Sequence, residues 1–217
     1  MVDRRPLLLL LLAACGGPAR RTVDLALAVE AAPASWTTEG VTWTLSEATL
    51  EVAALRFREP APVAWLDLVL PTAHAHPGHA PDAGVVGEWL GPASLDLLQG
   101  GALGPATFFE GPVAEGEGEL ARAHLVGTVA LPDRVVDVDF LVDAPQEVLG
   151  MHADLEVDAD TPPARLVLAL DLPGVLAGLD PSTVPAAGPW TLDEPATRNT
   201  LIFDLVHGSR WSWKESP

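Results

Sequence analysis

Apolar residues recur at every second position through most of this chain, and that confines it to folds built from half-buried strands. Val23, Leu25, Leu27 and Val29 alternate with Asp24, Ala26 and Ala28. A strand sends successive side chains to opposite faces, so such a run buries one face and wets the other. The theme continues in Trp43/Leu45, Leu50/Val52, Leu55/Phe57 and Leu66/Leu68/Leu70. It returns in Ala123/Leu125/Val129/Leu131, Val136/Val138/Phe140/Val142, Met151/Ala153/Leu155/Val157 and Leu166/Leu168/Leu170/Leu172. Breakers stand between the runs: Pro60-Ala61-Pro62, Pro71, Gly111-Pro112, Pro132-Asp133, Ala144-Pro145 and Pro162-Pro163. About eight strands at this spacing predict an all-β domain, an antiparallel β-sandwich over residues 22–217.

Three segments read differently. Residues 92–105 suggest one helical turn and a loop. Residues 193–208 predict a short C-terminal helix with Asp193 as N-cap and Pro195 in the first turn. Leu201, Ile202, Leu205 and Val206 form its apolar face, and Gly208 stops it. Glu115-Gly116-Glu117-Gly118-Glu119 reads as a solvated hairpin tip.

The N-terminus has a separate logic. Arg4-Arg5, six leucines from Leu7 to Leu12 and then Ala13-Ala14-Cys15-Gly16 give a basic start, a short apolar core and small residues before a cut. The run from Leu7 to Ala14 is far shorter than the about 20 residues of a spanning helix. Leu12-Ala13-Ala14-Cys15 resembles the lipobox of bacterial lipoproteins. That resemblance implies a signal peptide over residues 1–14, cleavage before Cys15, a lipid on the Cys15 sulfur and a tether over residues 15–21. Gly16 in place of an aspartate implies sorting to the outer membrane, facing the periplasm or the surface. Cys15 is the sole cysteine, so the domain has no disulfide and must rely on its core.

Composition narrows the partners. The chain holds 30 Asp and Glu against 12 Lys and Arg, a net charge of −18, and loss of residues 1–14 makes it −19. So acidic a surface disfavours nucleic acid, whose affinity comes from cationic contacts to phosphate. It disfavours anionic head groups equally. At 48% hydrophobic residues the chain is no disordered stalk.

The densest chemical feature is Thr72-Ala73-His74-Ala75-His76-Pro77-Gly78-His79-Ala80-Pro81-Asp82, with three of the six histidines. On an extended backbone His74 and His76 share one side, about 7 Å apart at Cα. Pro77-Gly78 is a turn pair that returns His79 toward them. Imidazole with carboxylate suits Cu(II) or Zn(II). Asp82 and Glu88 are candidate fourth ligands, as are His124, His152 and His207 from elsewhere in the chain. His124 and His152 fall out of phase with the apolar residues around them and so face outward. His207 sits at the predicted helix C-terminus, where it complements the dipole. The pairs Asp137/Asp139 and Asp158/Asp160 lack the glycine-punctuated ligand loop of a calcium site and read as polar strand faces.

An exported β domain with a histidine cluster and seven tryptophans also resembles the methanobactin-associated periplasmic copper-binding proteins. That resemblance implies copper held by histidines with a tryptophan nearby, and points to Trp89; Trp190, Trp211 and Trp213 read as packing. The His-Xaa-His pair is shared with copper–zinc superoxide dismutase, but the bridging-histidine spacing and glycine signatures of that family are absent. No Gly-x-Ser-x-Gly elbow, phosphate-cradling glycine loop or His-Glu-x-x-His is present. The expected function is therefore a membrane-anchored lipoprotein binding copper or zinc through His74, His76 and His79. The alternatives are a structural or partner-binding lipoprotein, and a metal-dependent hydrolase.

Overall fold

The computed structural model describes residues 20–60 and 84–216. Cys15, His74, His76, His79, Asp82 and the Leu66/Leu68/Leu70 run lie outside the described residues. Among the described residues eleven strands occur in chain order: β1 (Thr22–Val29), β2 (Ser35–Thr38), β3 (Val41–Arg58), β4 (Val85–Asp96), β5 (Gly101–Phe109), β6 (Gly111–Ala130), β7 (Val135–Val142), β8 (Gln146–Val157), β9 (Arg165–Leu170), β10 (Trp190–Thr191) and β11 (Trp211–Ser216). Helix α1 (Leu172–Ala177) follows β9, and α2 (Pro195–Val206) precedes β11.

The all-β expectation holds, and the eight-stranded antiparallel sandwich does not. All eleven strands belong to one mixed sheet, ordered β10-β7-β6-β8-β11-β9-β1-β5-β4-β3-β2, with a further β3–β6 pairing. That pairing closes a ring through β3, β6, β8, β11, β9, β1, β5 and β4, and leaves β2, β7 and β10 as a flap at one end. The pairs β1–β9, β8–β11 and β7–β10 are parallel. Closure satisfies backbone groups that an open sheet would leave at its edges.

The long strands β3 and β6 make the arrangement possible. Each serves the ring with one half and the flap with the other: β6 pairs β8 over Gly111–Leu120 and β7 over Ala123–Ala130. In β3 the buried positions are Trp43 and Leu45, then Ala48, Leu50, Val52 and Ala54, then Leu55 and Phe57, so the parity changes twice. The changes coincide with bulges between Leu45/Glu47 and Val52/Ala54. An extra residue at a bulge flips the face and bends the strand. What the sequence presents as successive short runs is thus one strand of 18 residues.

The core is one continuous apolar cluster. Inside the ring, Phe57 packs on Phe108 (4.6 Å between centroids) and edge-on to Trp213 (4.8 Å). In the flap, Trp43 stacks on Trp190 (5.9 Å), which meets Phe140 edge-on (5.3 Å). Trp190, Trp211 and Trp213 are all buried, as their packing role requires.

The Glu115–Glu119 segment is a strand interior, flanked by β3 and β8, and not a hairpin tip. Its alternation has a packing cause. Gly116 and Gly118 face inward, where a Cβ would lie 2.7 Å from Trp213 Nε1 and 2.6 Å from Met151 Cε. The glutamates face outward: Glu117 takes a two-pronged ion pair from Arg58 (2.5 and 2.9 Å), and Glu119 accepts from Arg56 (2.6 Å). Small residues inside leave room for the large rings, and charges outside zip β6 to β3.

Residues 92–105 also depart from expectation. They form the end of β4, a turn at residues 97–99 and most of β5. The helix at 195–206 is present, with Glu194 and not Asp193 as its cap; Glu194 accepts from Thr197 N–H at 2.6 Å. It is not terminal, because β11 follows. Trp211 donates from Nε1 to the Leu205 carbonyl (2.7 Å), which pins the end of α2 to that strand. Gly208 is buried, and a Cβ there would strike the Leu149 and Gly150 carbonyl oxygens. Close approach, and not a left-handed helix cap, is what requires glycine there.

Candidate functional site

Two seams of the ring are thin. Strands β8 and β11 share one register pair, Ser212 with His152, continued by an isolated bridge between Leu149 and His207. Strands β4 and β5 share two, Gly87 with Phe108 and Glu88 with Thr107, before they diverge. Where a wall pairs sparsely, side chains separate and clefts open, and each seam carries one.

The cleft beside the β8–β11 seam lies between β8 and the end of α2, has a volume of about 600 Å³ and is lined by Leu149, Gly150, His152, Phe203, Val206, His207, Gly208 and Ser209. It brings together two of the candidate histidines, one from β8 and one from the end of α2. Their placement follows from local rules. On β8, Met151, Ala153, Leu155 and Val157 point inward, so His152 points out. Phe203 and His207 are four residues apart and share a helix face; their rings lie 5.5 Å apart. Ser209 Oγ sits 2.7 Å from His207 Nδ1, so Nε2 is the nitrogen open to a further ligand. The apolar floor with two imidazoles and a hydroxyl suits a small ligand with an aromatic or aliphatic body and a polar head.

His124 is held elsewhere. It lies outward on β6, as its phase predicts, but between two carboxylates: Nε2 is 2.9 Å from Asp139 and Nδ1 3.3 Å from Glu47. Both ring nitrogens are therefore occupied by neighbouring strands, and the histidine works as a cross-strand tie. Glu88 is likewise committed, 3.2 Å from Arg56 Nε on the outer face of β4. Asp137 and Asp139 lie exposed on β7, as read from the sequence. Asp158 and Asp160 do not belong to a strand face: they sit in the bend after β8, where Asp158 accepts from Asp160 N–H (2.8 Å) and Thr161 Oγ1 (2.8 Å). That backbone hydrogen bond, with the Thr161 hydroxyl, holds the Asp158 carboxyl below its ordinary range. Trp89 is buried against the β4 and β5 backbone, close to Gly91 and Gly104. Among the described residues, no three His, Cys, Asp or Glu side chains are grouped so as to hold a metal ion.

The β4–β5 groove, about 490 Å³, is lined by Val85 to Leu90 with Pro105, Thr107 and Phe109. Beside it the two ends of the 61–83 segment are held together: Glu59 N–H donates to the Gly84 carbonyl at 3.1 Å, and Arg20 pairs with Glu59 at 2.7 Å. Arg21 then bridges Glu110 (2.6 Å) and Asp160 (2.8 Å). Its hydrogen bonds hold both carboxyls below their ordinary range and raise its own.

The sequence places His152 on an outward strand position and His207 at a helix C-terminus, but does not join them to each other, or to Phe203 and Ser209. The Phe203/His207 spacing was a usable signal; the meeting of α2 with β8 was not written in any local pattern. No protein-family model matches the chain, and no curated protein or solved structure shows significant similarity to it. Among the described residues no helix is long and apolar enough to cross a membrane.

Proposed function

We propose that this chain is an exported lipoprotein, anchored through Cys15 at the outer membrane, whose β domain binds copper or zinc through His74, His76 and His79. The observation that carries the reading is the His-Xaa-His-Xaa-Xaa-His-Xaa-Xaa-Asp run itself, with imidazole and carboxylate donors within nine residues. It is supported by the frame on which the run is mounted. The segment leaves β3 and re-enters β4 through a hydrogen-bonded pair, Glu59 and Gly84. A segment whose two ends are fixed loses less entropy on closing around a ligand. The acidic surface favours approach of a cation. The test is titration of the chain, purified without a polyhistidine tag, with Cu(II) and Zn(II), beside a His74/His76/His79 triple alanine variant. About one equivalent bound at micromolar affinity or tighter, near −8 kcal/mol, and lost in the variant, supports the reading. Equal weak binding by both refutes it.

A second reading, a partner-binding lipoprotein with no metal site, is favoured by the β8–β11 cleft, where Phe203 is 63% exposed. It predicts that the triple variant is indistinguishable from the parent, while Phe203→Ser removes capture of an apolar ligand.

A further inference from the structure

Among the described residues six large apolar side chains are exposed, and three of them, Val85 (43%), Leu90 (67%) and Phe109 (45%), line the single β4–β5 groove. Such clustering on a chain with a strongly acidic surface calls for an occupant. The position of the groove names one. Phe109 is the register partner of Thr22, the first residue of β1, and Val85 follows Gly84 on the same rim. The chain entering β1 is fastened to this rim by the Arg20–Glu59 and Arg21–Glu110 ion pairs and by the hydrogen bond from Glu110 N–H to the Arg21 carbonyl (2.9 Å). Cys15 stands seven residues before Thr22, a reach of at most about 25 Å. The groove from Val85 to Leu90 runs about 17 Å along β4. An acyl group on Cys15 would therefore hold this wall within touching distance of the bilayer.

We infer that the β4–β5 wall, through Val85, Leu90 and Phe109, is the face that rests on the lipid surface; the inference rests on the lipoprotein reading above. The polar groups of that wall are prepared for it. Glu88 is paired with Arg56, Asp24 accepts from Thr107 (2.7 Å), and Arg20 and Arg21 are paired with carboxylates. Desolvating a paired group costs far less than desolvating a lone one. With the excess charge of the chain negative, the contact is apolar and suits zwitterionic lipid, the acyl anchor supplying most of the affinity and the wall supplying orientation. Val135, 66% exposed near the other end of β6, where it pairs with Ala130, should face away from the membrane.

The test uses the full chain, expressed in a bacterium that processes lipoproteins and reconstituted into phosphatidylcholine vesicles that carry brominated acyl chains. Single added cysteines, Phe109→Cys, Leu90→Cys and Val135→Cys, are labelled with an environment-sensitive fluorophore. Lipid quenching at least twofold stronger at positions 109 and 90 than at 135 is the expected result. If Cys15 reacts with maleimide and the chain does not partition to vesicles, the lipoprotein reading fails and this face fails with it. If the chain is vesicle-bound through Cys15 but quenching is equal at all three sites, the anchor stands and the docking face is overturned. Protection of positions 109 and 90 from aqueous iodide before lipid is added overturns it too, because residues 61–83 or a second copy then cover the wall.

Discussion

Replacing Gly116 with alanine tests whether the glycines of β6 exist to make room for the rings of the core. Two effects oppose each other. Glycine inside a strand costs roughly 0.5–1 kcal/mol relative to alanine in backbone entropy, so the methyl is favourable on that account alone. Against it, the new Cβ would lie 2.7 Å from Trp213 Nε1 and 3.2 Å from its Cδ1. Trp213 is buried and wedged edge-on to Phe57, so it has nowhere to retreat. Overpacking of a rigid neighbour costs about 1–3 kcal/mol. The expected net loss for Gly116→Ala is thus about 1 kcal/mol, the middle of the first range taken from the middle of the second. Gly118→Ala is the built-in control. There the Cβ meets Met151 Cε at 2.6 Å, the free end of a flexible side chain, and nothing else closer than 3.4 Å. Met151 can turn away, and the expected net change is near zero. Trp213→Phe completes a cycle. Among the described residues Trp213 Nε1 has no hydrogen-bond partner, so phenylalanine removes bulk without orphaning a polar group. The Gly116→Ala penalty should shrink in that background. Urea unfolding followed by tryptophan fluorescence measures all of these. A Gly116→Ala midpoint at or above that of the parent, or a Gly118→Ala loss equal to that of Gly116→Ala, would refute the argument.

The remaining predictions are brief. Because hydrogen bonds from Arg21 hold the Glu110 and Asp160 carboxyls below their ordinary range, their contribution is present above the unfolded pKa and fades as pH falls through the folded one. Melting temperatures taken from pH 7 down to pH 3 should therefore drop less steeply in Arg21→Ala, and these exposed pairs should weaken further in high salt. Trp211→Phe removes the buried donor to the Leu205 carbonyl and should cost about 1–3 kcal/mol. A variant as stable as the parent would mean that water takes the place of the indole. Without metal the triple histidine variant should keep the parental melting temperature and lose only the rise that Zn(II) gives the parent; calorimetry with and without Zn(II) separates the two effects.

Strand-forming segments were plain in the sequence because a half-buried strand writes its two faces into alternate positions. Val23–Val29, Val136–Val142 and Met151–Val157 each keep one parity from end to end, and each is a strand that buries that face, with Ala28 also buried past an irregularity in β1. Strand continuity and partnership were not written locally. A bulge and a strand end leave the same local mark, a change of parity, so β3 looked like three pieces. The Glu-Gly repeat of β6 carries no apolar residue because its inward space belongs to Trp213 and Met151, supplied by strands far away in sequence. Lacking hydrophobes, it resembled a turn. Parallel pairing of β1 with β9 and β8 with β11 has no local signature at all.

The same asymmetry governs the site. An outward histidine is recognisable from its phase, whereas its company depends on which strands meet across a seam. His124 and His152 have the same local signature, yet one is locked between Glu47 and Asp139 while the other lines an open cleft. The difference lies in the neighbouring strands. His124 is on the part of β6 flanked on both sides by long antiparallel partners, whose Glu47 and Asp139, both opposite Val126, reach it diagonally. His152 pairs with Glu115 of β6 on one side, but on the other it faces β11 across a single register pair. Dense pairing supplies partners that satisfy a polar side chain, and sparse pairing leaves it free for a ligand. The clefts of about 600 and 490 Å³ open beside its two thinnest seams for that reason, while those of about 380 and 350 Å³ lie along the better-paired strands β1, β9 and β11. Function in a closed sheet of this kind should therefore be sought first where the hydrogen-bond ladder is shortest.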